Sequence, residues 1–253
     1  MKIKRVAALS LVVSVCSWTP LTHAQDGAVP APVEAFYCSF RDGKDMKDLM
    51  KAADRFSEWS RSNQPGYSAW ILTPRFGQLD ELPEVLWLGS SQSGDAFGKG
   101  LDAYVAGGGD IQGDFDKVVD CHAHVLASSV EVAAPDGPPG DGVVMFSQCS
   151  IDDDSDWSEA LAAHRQYATD LRGLGASNSN WMFFPMLGGE ADRDFDYWGV
   201  STFNSWSDYF AAYEIYVNGG GWQKGMEAMN GVASCAQGTP TVWGVTQVRQ
   251  GER

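Results

Sequence analysis

Basic residues are scarce in this chain, and long apolar runs are absent beyond its first residues. The 253 residues include 18 Lys and Arg against 33 Asp and Glu, which gives a formal net charge of −15. Such a charge repels nucleic-acid phosphates and anionic lipid, so neither is expected as a partner. After the N-terminal segment no stretch approaches the roughly 18 uninterrupted apolar residues of a membrane-spanning helix. We therefore predict no membrane span.

Signatures of common catalytic sites are also missing. The sequence contains no Gly-x-Ser-x-Gly elbow. Its two glycine triplets, 107–109 and 219–221, follow predicted helices and lack the Gly-Lys-Ser/Thr of a phosphate-binding loop, so they are interpreted as turns. Acids such as Glu34, Glu58 and Glu84 could act as bases, but no local pattern separates them from solvated side chains. Whether the chain is an enzyme therefore stays open.

The first 24 residues have the pattern of a secretory signal peptide. Three basic residues precede the apolar run 6–15, and Thr22-His23-Ala24 forms a small-residue cleavage site. We predict cleavage near Ala24 and a periplasmic or secreted protein that begins with a short tail, 25–32. Cys16 raises a lipoprotein alternative, which Val15 argues against, because a lipoprotein signal places a small residue there.

The rest of the chain contains nearly the same pattern twice. Five landmarks recur after 111 residues: Cys38, Trp70, Pro74, Gly77 and Trp87 match Cys149, Trp181, Pro185, Gly188 and Trp198. Between the copies, residues 133–142 contain three prolines and three glycines, a composition typical of a linker. The sequence thus predicts two repeats, 33–132 and 143–249, joined by that linker.

Each repeat shows the element order strand, helix, strand, strand, helix, strand. Aromatic and β-branched runs predict the strands, and Asp45 and Asp156 stand where helix N-caps belong. Pro74 and Pro185 are expected to end the second strands, because proline cannot donate to a sheet ladder. We therefore predict an α+β fold made of two tandem ferredoxin-like βαββαβ repeats.

The cysteines test this order. In a ferredoxin-like sheet the first and fourth strands are antiparallel neighbours, so Cys38 should lie beside Cys121, and Cys149 beside Cys235. Four cysteines formally allow three pairings. The strand order selects Cys38–Cys121 and Cys149–Cys235, and export makes their oxidation reasonable.

This duplicated βαββαβ pattern resembles the dimeric α/β-barrel superfamily, in which two ferredoxin-like units place sheet against sheet. The resemblance implies that the two repeats, fused in one chain, close a pseudo-dimeric barrel, which is compatible with a monomer. The superfamily includes cofactor-free monooxygenases, isomerases and lyases, haem enzymes, and modules without known chemistry. No catalytic residue of these groups is matched by a position in this sequence.

Tryptophan supplies the first candidate ligand site. The chain has 10 Trp, 12 Phe and 8 Tyr, and 44% of its residues are hydrophobic, which is ample for a packed core. Trp70 and Trp181 fall on second strands, and Trp87 and Trp198 on third strands. Such residues would suit an apolar ligand in the barrel lumen, but core packing explains the four repeated tryptophans as well, and the repetition favours the core.

Histidine supplies weaker candidates. His122 and His124 are two residues apart in a predicted strand, a spacing that would place both on one face and is compatible with metal binding. Surface or edge-strand histidines are the simpler interpretation, so no metal is expected. His164 lies on a predicted helix, as haem-binding histidines of related folds do, but its apolar-face position indicates packing in the core. No cofactor is predicted.

Two functional hypotheses follow. The first is an exported, disulfide-stabilised module that binds a small apolar ligand or a protein partner. The alternative is a cofactor-independent monooxygenase or isomerase of the dimeric α/β-barrel type. They differ in one expectation: an enzyme needs an acid, a base or a polar orienting group that points into a closed cavity.

Overall fold

The computed structural model describes residues 29–137, 140–189, 192–236 and 240–252. The predicted signal peptide lies outside the described residues, as does most of the predicted N-terminal tail. Within the described ranges, no helix combines the length and the apolar character needed to cross a membrane.

The described residues form nine strands and six helices. The strands are β1 (Ala31–Phe40), β2 (Tyr67–Phe76), β3 (Val85–Ser91), β4 (Val119–Ala133), β5 (Gly142–Ile151), β6 (Ser179–Leu187), β7 (Tyr197–Phe203), β8 (Ala233–Cys235) and β9 (Thr241–Arg249). The helices are α1 (Met46–Asn63), α2 (Gly94–Gly107), α3 (Gly109–Asp116), α4 (Trp157–Gly173), α5 (Trp206–Val217) and α6 (Gly221–Met229). The predicted elements are all present, with ends that differ by a few residues.

Eight of the strands close an antiparallel barrel. The sheet runs β7-β6-β4-β1-β3-β2-β9-β5, and β5 pairs again with β7 to complete the circle. The short β8 pairs with the last three residues of β5, Cys149 to Ile151. Residues 31–133 and 142–249, here called the first and second halves, therefore meet at two seams, β2 with β9 and β4 with β6.

Two disulfides cross-link neighbouring strands at the predicted positions. Cys38 is bonded to Cys121 across β1 and β4, and Cys149 to Cys235 across β5 and β8, each pair with Cα atoms 3.9 Å apart. The bridges close loops of 83 and 86 residues. A loop of that length is worth roughly 4.5 kcal/mol in the chain-entropy model.

Aspartate caps start the first helix of each half. Asp45 accepts hydrogen bonds from the backbone of Lys47 and Asp48. Asp156 does the same for α4 and adds a reciprocal capping box with Glu159. A cap of this kind is worth about 1 kcal/mol, because it satisfies N–H groups that the helix itself cannot.

The barrel interior is a shared apolar core. Its buried members come from both halves, for example Val33 and Leu72 from the first, and Val144 and Trp243 from the second. The other buried clusters lie between the outer face of the sheet and the helices. Two of the strands cross the boundary between the halves: Val130 of β4 belongs to the cluster of α4, and Val248 of β9 packs against the clusters of α1. Side chains therefore alternate along each strand between a common interior and a helix layer.

Two prolines do not end their strands, contrary to the prediction. β2 continues through Pro74 to Phe76, and β6 continues through Pro185 to Leu187. Pro74 lies opposite Trp243 and Pro185 opposite Ala127, and each seam shifts register beside its proline. A bulge tolerates the missing N–H donor, so the strands extend far enough to pair with the other half.

The third strands do not follow the spacing of the sequence repeat. Cys38 lies opposite Val85, whereas Cys149 lies opposite Tyr197, a displacement of one residue. Because strand side chains alternate, this step places Trp87 on the outer face of its sheet and Trp198 in the barrel interior. The two tryptophans match in sequence but not in position.

Candidate functional site

A cavity of about 310 Å³ lies in the first half, between the outer face of the sheet and the helices α1, α2 and α3. Most of its wall is apolar or aromatic. Phe56 and Phe115 stand edge-on to the indole of Trp87, with ring centroids 5.1 and 5.3 Å away. An apolar cavity with a few converging polar groups is the usual form of a small-molecule site.

The polar centre of this wall is the carboxylate of Glu34, a side chain only 10% exposed. Its Oε1 accepts a hydrogen bond of 2.5 Å from the hydroxyl of Tyr67. Its Oε2 lies 2.7 Å from Nε2 of His124. The indole N–H of Trp87 donates to the hydroxyl of Tyr67 at 3.1 Å. We call these four residues the Glu34 network.

Four different strands supply the network. Glu34 lies on β1, opposite Gly89 of β3 and Leu126 of β4. The missing side chain of Gly89 is essential, because a Cβ there would stand 1.7 Å from the hydroxyl oxygen of Tyr67. The glycine thus leaves the space through which Tyr67 reaches the carboxylate.

Burial keeps the tyrosine protonated. Desolvation, and then the negative charge of Glu34, raise the pKa of Tyr67 well above its usual value. Desolvation likewise raises the pKa of Tyr104, another residue of the wall, to about 12. At neutral pH Tyr67 is therefore a hydrogen-bond donor, which fixes the Glu34 carboxylate in place.

His124 links the carboxylate to solvent. Its imidazole stacks on Phe36, with ring centroids 3.7 Å apart and planes 11° from parallel. The side chain of His124 is 50% exposed, whereas that of Glu34 is nearly buried. A carboxylate in an apolar cavity, hydrogen-bonded to an imidazole that reaches water, can accept a proton from a bound molecule and pass it outward.

The second half lacks this arrangement. The positions that match Glu34, Tyr67 and Trp87 hold Met145, Asn178 and Gly199. The residue that corresponds to His124 in the sequence is Gly238, which lies outside the described residues. Met145 instead packs with Trp206 and Tyr209 of the second half's own layer.

The structure distributes the four predicted tryptophans over three environments. Trp87 borders the first-half cavity. Trp70 and Trp181 border a second cavity, of about 520 Å³, at the barrel interior. Trp198 packs in that interior, with its ring 4.9 Å from Phe195. The expected apolar lumen therefore involves three of them, and the polar site involves the fourth.

His122 and His124 do not share a face, contrary to the prediction. Tyr37 pairs with Ala123 and Cys38 with Cys121, so His122 is the extra residue of a bulge in β4. Its ring lies near Tyr37, which belongs to the barrel interior, whereas that of His124 lies on the outer face. The bulge breaks the alternation of side chains that the spacing argument assumed.

His164 is partly buried and stands edge-on to the ring of Tyr197. Its Nε2 lies 2.7 Å from the hydroxyl of Tyr197, and burial lowers its pKa to about 4. Cys149 and Cys235 are close to it and form the one group of metal-ligand type among the described residues. Their sulfurs are joined in a disulfide and are not free thiolates.

The donor set does not fit haem. The Nε2 of His164 is taken by Tyr197 within a packed cluster, and no described cavity reaches it. Among the described residues that line the first-half cavity, His124 is the one histidine, and its Nε2 is taken by Glu34. No Lys or Arg is among the described residues of that wall to pair with haem propionates.

Comparison with known proteins identifies the architecture. No protein family profile matches the sequence, and neither does any curated protein sequence. A solved structure provisionally described as a monooxygenase from Lactobacillus acidophilus NCFM aligns with a TM-score of 0.54 and 12% identity over 88% of this chain and 96% of its own. A structure provisionally described as a chlorite dismutase gives 0.53 and 10% over 87% and 96%. An anthrone oxidase-like protein gives 0.50 and 11% over 87% and 94%.

These similarities are too low in identity to transfer an activity, but they agree on one architecture. The aligned lengths include both halves and the closed barrel. The part of the chain that the structure describes therefore has the chlorite dismutase-like, dimeric α/β-barrel fold, with eight antiparallel barrel strands and six helices.

Proposed function

We propose that the chain binds a small, mainly aromatic molecule in the first-half cavity and removes a proton from it without a cofactor. The observation that carries the proposal is the Glu34 carboxylate, which lies on an apolar wall and is held there by Tyr67 and His124. An acid in such a position is what separates an enzyme from a simple binding module. Two of the similar structures, described as a monooxygenase and an anthrone oxidase-like protein, are compatible with this chemistry.

Glu34 is the general base in this proposal. It accepts a proton from an acidic O–H or C–H group of the substrate, and the apolar wall excludes competing water. Tyr67 and Trp87 hold the carboxylate through successive hydrogen bonds. His124, bonded to Oε2 and half exposed, returns the proton to solvent or to the product.

The resulting enolate or phenolate has two outcomes. Reprotonation at a different carbon makes the protein an isomerase. Reaction of the electron-rich anion with dioxygen makes it an oxygenase, with dioxygen as the oxidant. The proton-removal step by Glu34 is common to both, so it is the step that an experiment should address first.

Naphthol is a suitable probe of binding, because it is planar, apolar and uncharged. The ketone 2-tetralone is a suitable probe of proton removal, because the C–H groups beside its carbonyl are weakly acidic. We expect both to bind, and the C–H groups of 2-tetralone to exchange with D2O faster than in free solution, because Glu34 accepts the proton and the total charge in the cavity stays the same. Glu34→Gln should abolish that acceleration while leaving the cavity shape intact. Glu131→Gln is the matched control, since Glu131 borders the barrel-interior cavity instead. Binding without faster exchange in the unaltered protein would leave a non-catalytic binding module as the correct interpretation.

We also propose that the halves are tandem ferredoxin-like repeats, 33–132 and 143–249, joined by the linker 133–142. The strand order β4-β1-β3-β2 of the first half recurs in the second as β9-β5-β7-β6, and the disulfides occupy matching places. Export after cleavage near Ala24 is supported by the disulfides. N-terminal sequencing of the protein from its native host should then begin at Gln25; an intact Met1 would contradict export.

A further inference from the structure

One acceptor on the cavity wall has no donor. The side-chain oxygen of Gln64, Oε1, is fully buried and has no hydrogen-bond partner among the described residues. Leaving a buried acceptor unpaired costs free energy, and most native structures avoid it. An unpaired acceptor at the edge of a ligand cavity indicates that the ligand supplies the donor.

The position of this oxygen is well defined. Gln64 follows the last residue of α1, where its backbone N–H caps the helix by donating to Ser60. Its amide nitrogen donates to the carbonyl of Gly100 at 2.7 Å, which leaves Oε1 as the free end of the amide. Gly100 allows this approach, because a Cβ there would lie 3.1 Å from the Gln64 side chain.

Other amide and hydroxyl groups of the wall are already paired. Gln112 accepts from the hydroxyl of Tyr104 and donates to Asp116. Tyr67 donates to Glu34 and accepts from Trp87. Gln64 Oε1 therefore differs from these groups in needing a partner from outside the protein.

The charge of the cavity wall limits the class of ligand further. The described wall contains the carboxylate of Glu34 but no Lys or Arg. An anionic ligand would bring a second negative charge into an apolar cavity without a cation to balance it. The ligand must therefore be uncharged or cationic when it binds.

From these observations we infer that the substrate is an aromatic molecule without negative charge that carries two hydrogen-bond donors, one acidic group for Glu34 and a second O–H or N–H for Gln64 Oε1. This inference rests on the proposed function and adds a substrate class to it. Gln64 is a specificity-determining residue in this scheme, whereas Glu34 performs the proton transfer.

The test compares isomeric dihydroxynaphthalenes with their monomethyl ethers by fluorescence titration. Each ether keeps the ring system and one acidic hydroxyl but lacks the second donor. At least one diol should bind about tenfold more tightly than both of its ethers, because the pair gains a hydrogen bond and satisfies a buried acceptor. Naphthoate should bind far more weakly than naphthol.

Two variants locate the effect. Gln64→Met keeps the length of the side chain and removes the acceptor, so it should reduce the diol preference to about one. Gln166→Met is the control, because Gln166 lies on α4 outside both cavities and its amide donates to Asp170, and it should leave the preference unchanged.

The outcomes separate the two proposals. Equal affinities for every diol and its ethers, with naphthol still bound and the Glu34-dependent exchange of 2-tetralone intact, would overturn the role of Gln64 and leave the Glu34 chemistry standing. A diol preference that survives in Gln64→Met would also overturn it. Failure of naphthol and all the diols to bind would overturn the proposed function, and this inference with it.

Discussion

The two halves of this molecule have the same strand order, and each contains one disulfide. They differ in what lies between the sheet and the helices. In the first half a cavity separates them, and the Glu34 network lines it. In the second half, Met145 replaces the carboxylate and packs against the α5 layer. The first half thus has a polar site between its sheet and helices, at some cost in packing. In the second half the corresponding space is filled by apolar side chains.

The disulfides should give the largest measurable comparison. Replacing either pair, Cys38 with Cys121 or Cys149 with Cys235, by alanines should lower the free energy of unfolding by roughly 4.5 kcal/mol, because the two loops have nearly equal length. Urea denaturation measures this effect. Only loss of the first pair should also weaken naphthol binding, since Cys38 and Cys121 border the cavity. Equal loss of binding in both variants would contradict a site confined to the first half.

His164 should make the second half sensitive to acid. Burial lowers its pKa from 6.5 to about 4, so the folded state binds this proton less readily than the unfolded chain. Its contribution to stability is therefore complete above about pH 6.5 and is lost as the pH falls toward 4. The loss amounts to about 3 kcal/mol.

His164→Ala tests this, because the matching position of the first half is Ala53. The variant should lose stability at pH 7 with the hydrogen bond to Tyr197, yet fall less steeply between pH 6.5 and 4. His122→Ala, at an exposed residue, is the control and should keep the original slope. An unchanged slope in His164→Ala would show that other groups cause the acid sensitivity.

The next largest loss of stability is expected at Gly89. An added Cβ would overlap the hydroxyl of Tyr67, so Gly89→Ala should cost about 2 kcal/mol and displace Tyr67 from Glu34. Gly199→Ala is the comparison in the second half, at the position that matches Trp87, where a Cβ would meet the Cys149 sulfur at 3.1 Å. We expect it to destabilise less and to leave naphthol binding unchanged. Binding that survives intact in Gly89→Ala would contradict the arrangement of the network.

Much of the fold could be predicted because its signals are local or repeated. Strand runs, the caps at Asp45 and Asp156, and the spacing of the cysteines each follow from short-range chemistry or from strand order. The prediction that Pro74 ends its strand was wrong, because β9 of the other half pairs with β2 beyond the proline. No local pattern contains that information.

The site could not be predicted in the same way. Glu34 and Tyr67 are 33 residues apart, and His124 is 90 from Glu34, so only the closed sheet brings them together. In sequence Glu34 resembles any solvated acid. A signal did exist in the differences between the halves, where Met145 and Asn178 stand at the matching positions. The bulge at His122 then hid the separate role of His124.

The smallest expected effect concerns the two tryptophans that match in sequence. Trp87→Phe removes the N–H that donates to Tyr67 and should cost about 1 kcal/mol beyond the loss of ring volume. Trp198→Phe, in the barrel interior, removes the same volume and is the matched control. In Trp87→Phe the exchange of the 2-tetralone C–H groups with D2O should slow, because Tyr67 holds Glu34 less firmly, whereas in Trp198→Phe it should not. An equal rate in both variants would mean that the indole of Trp87 acts only as packing.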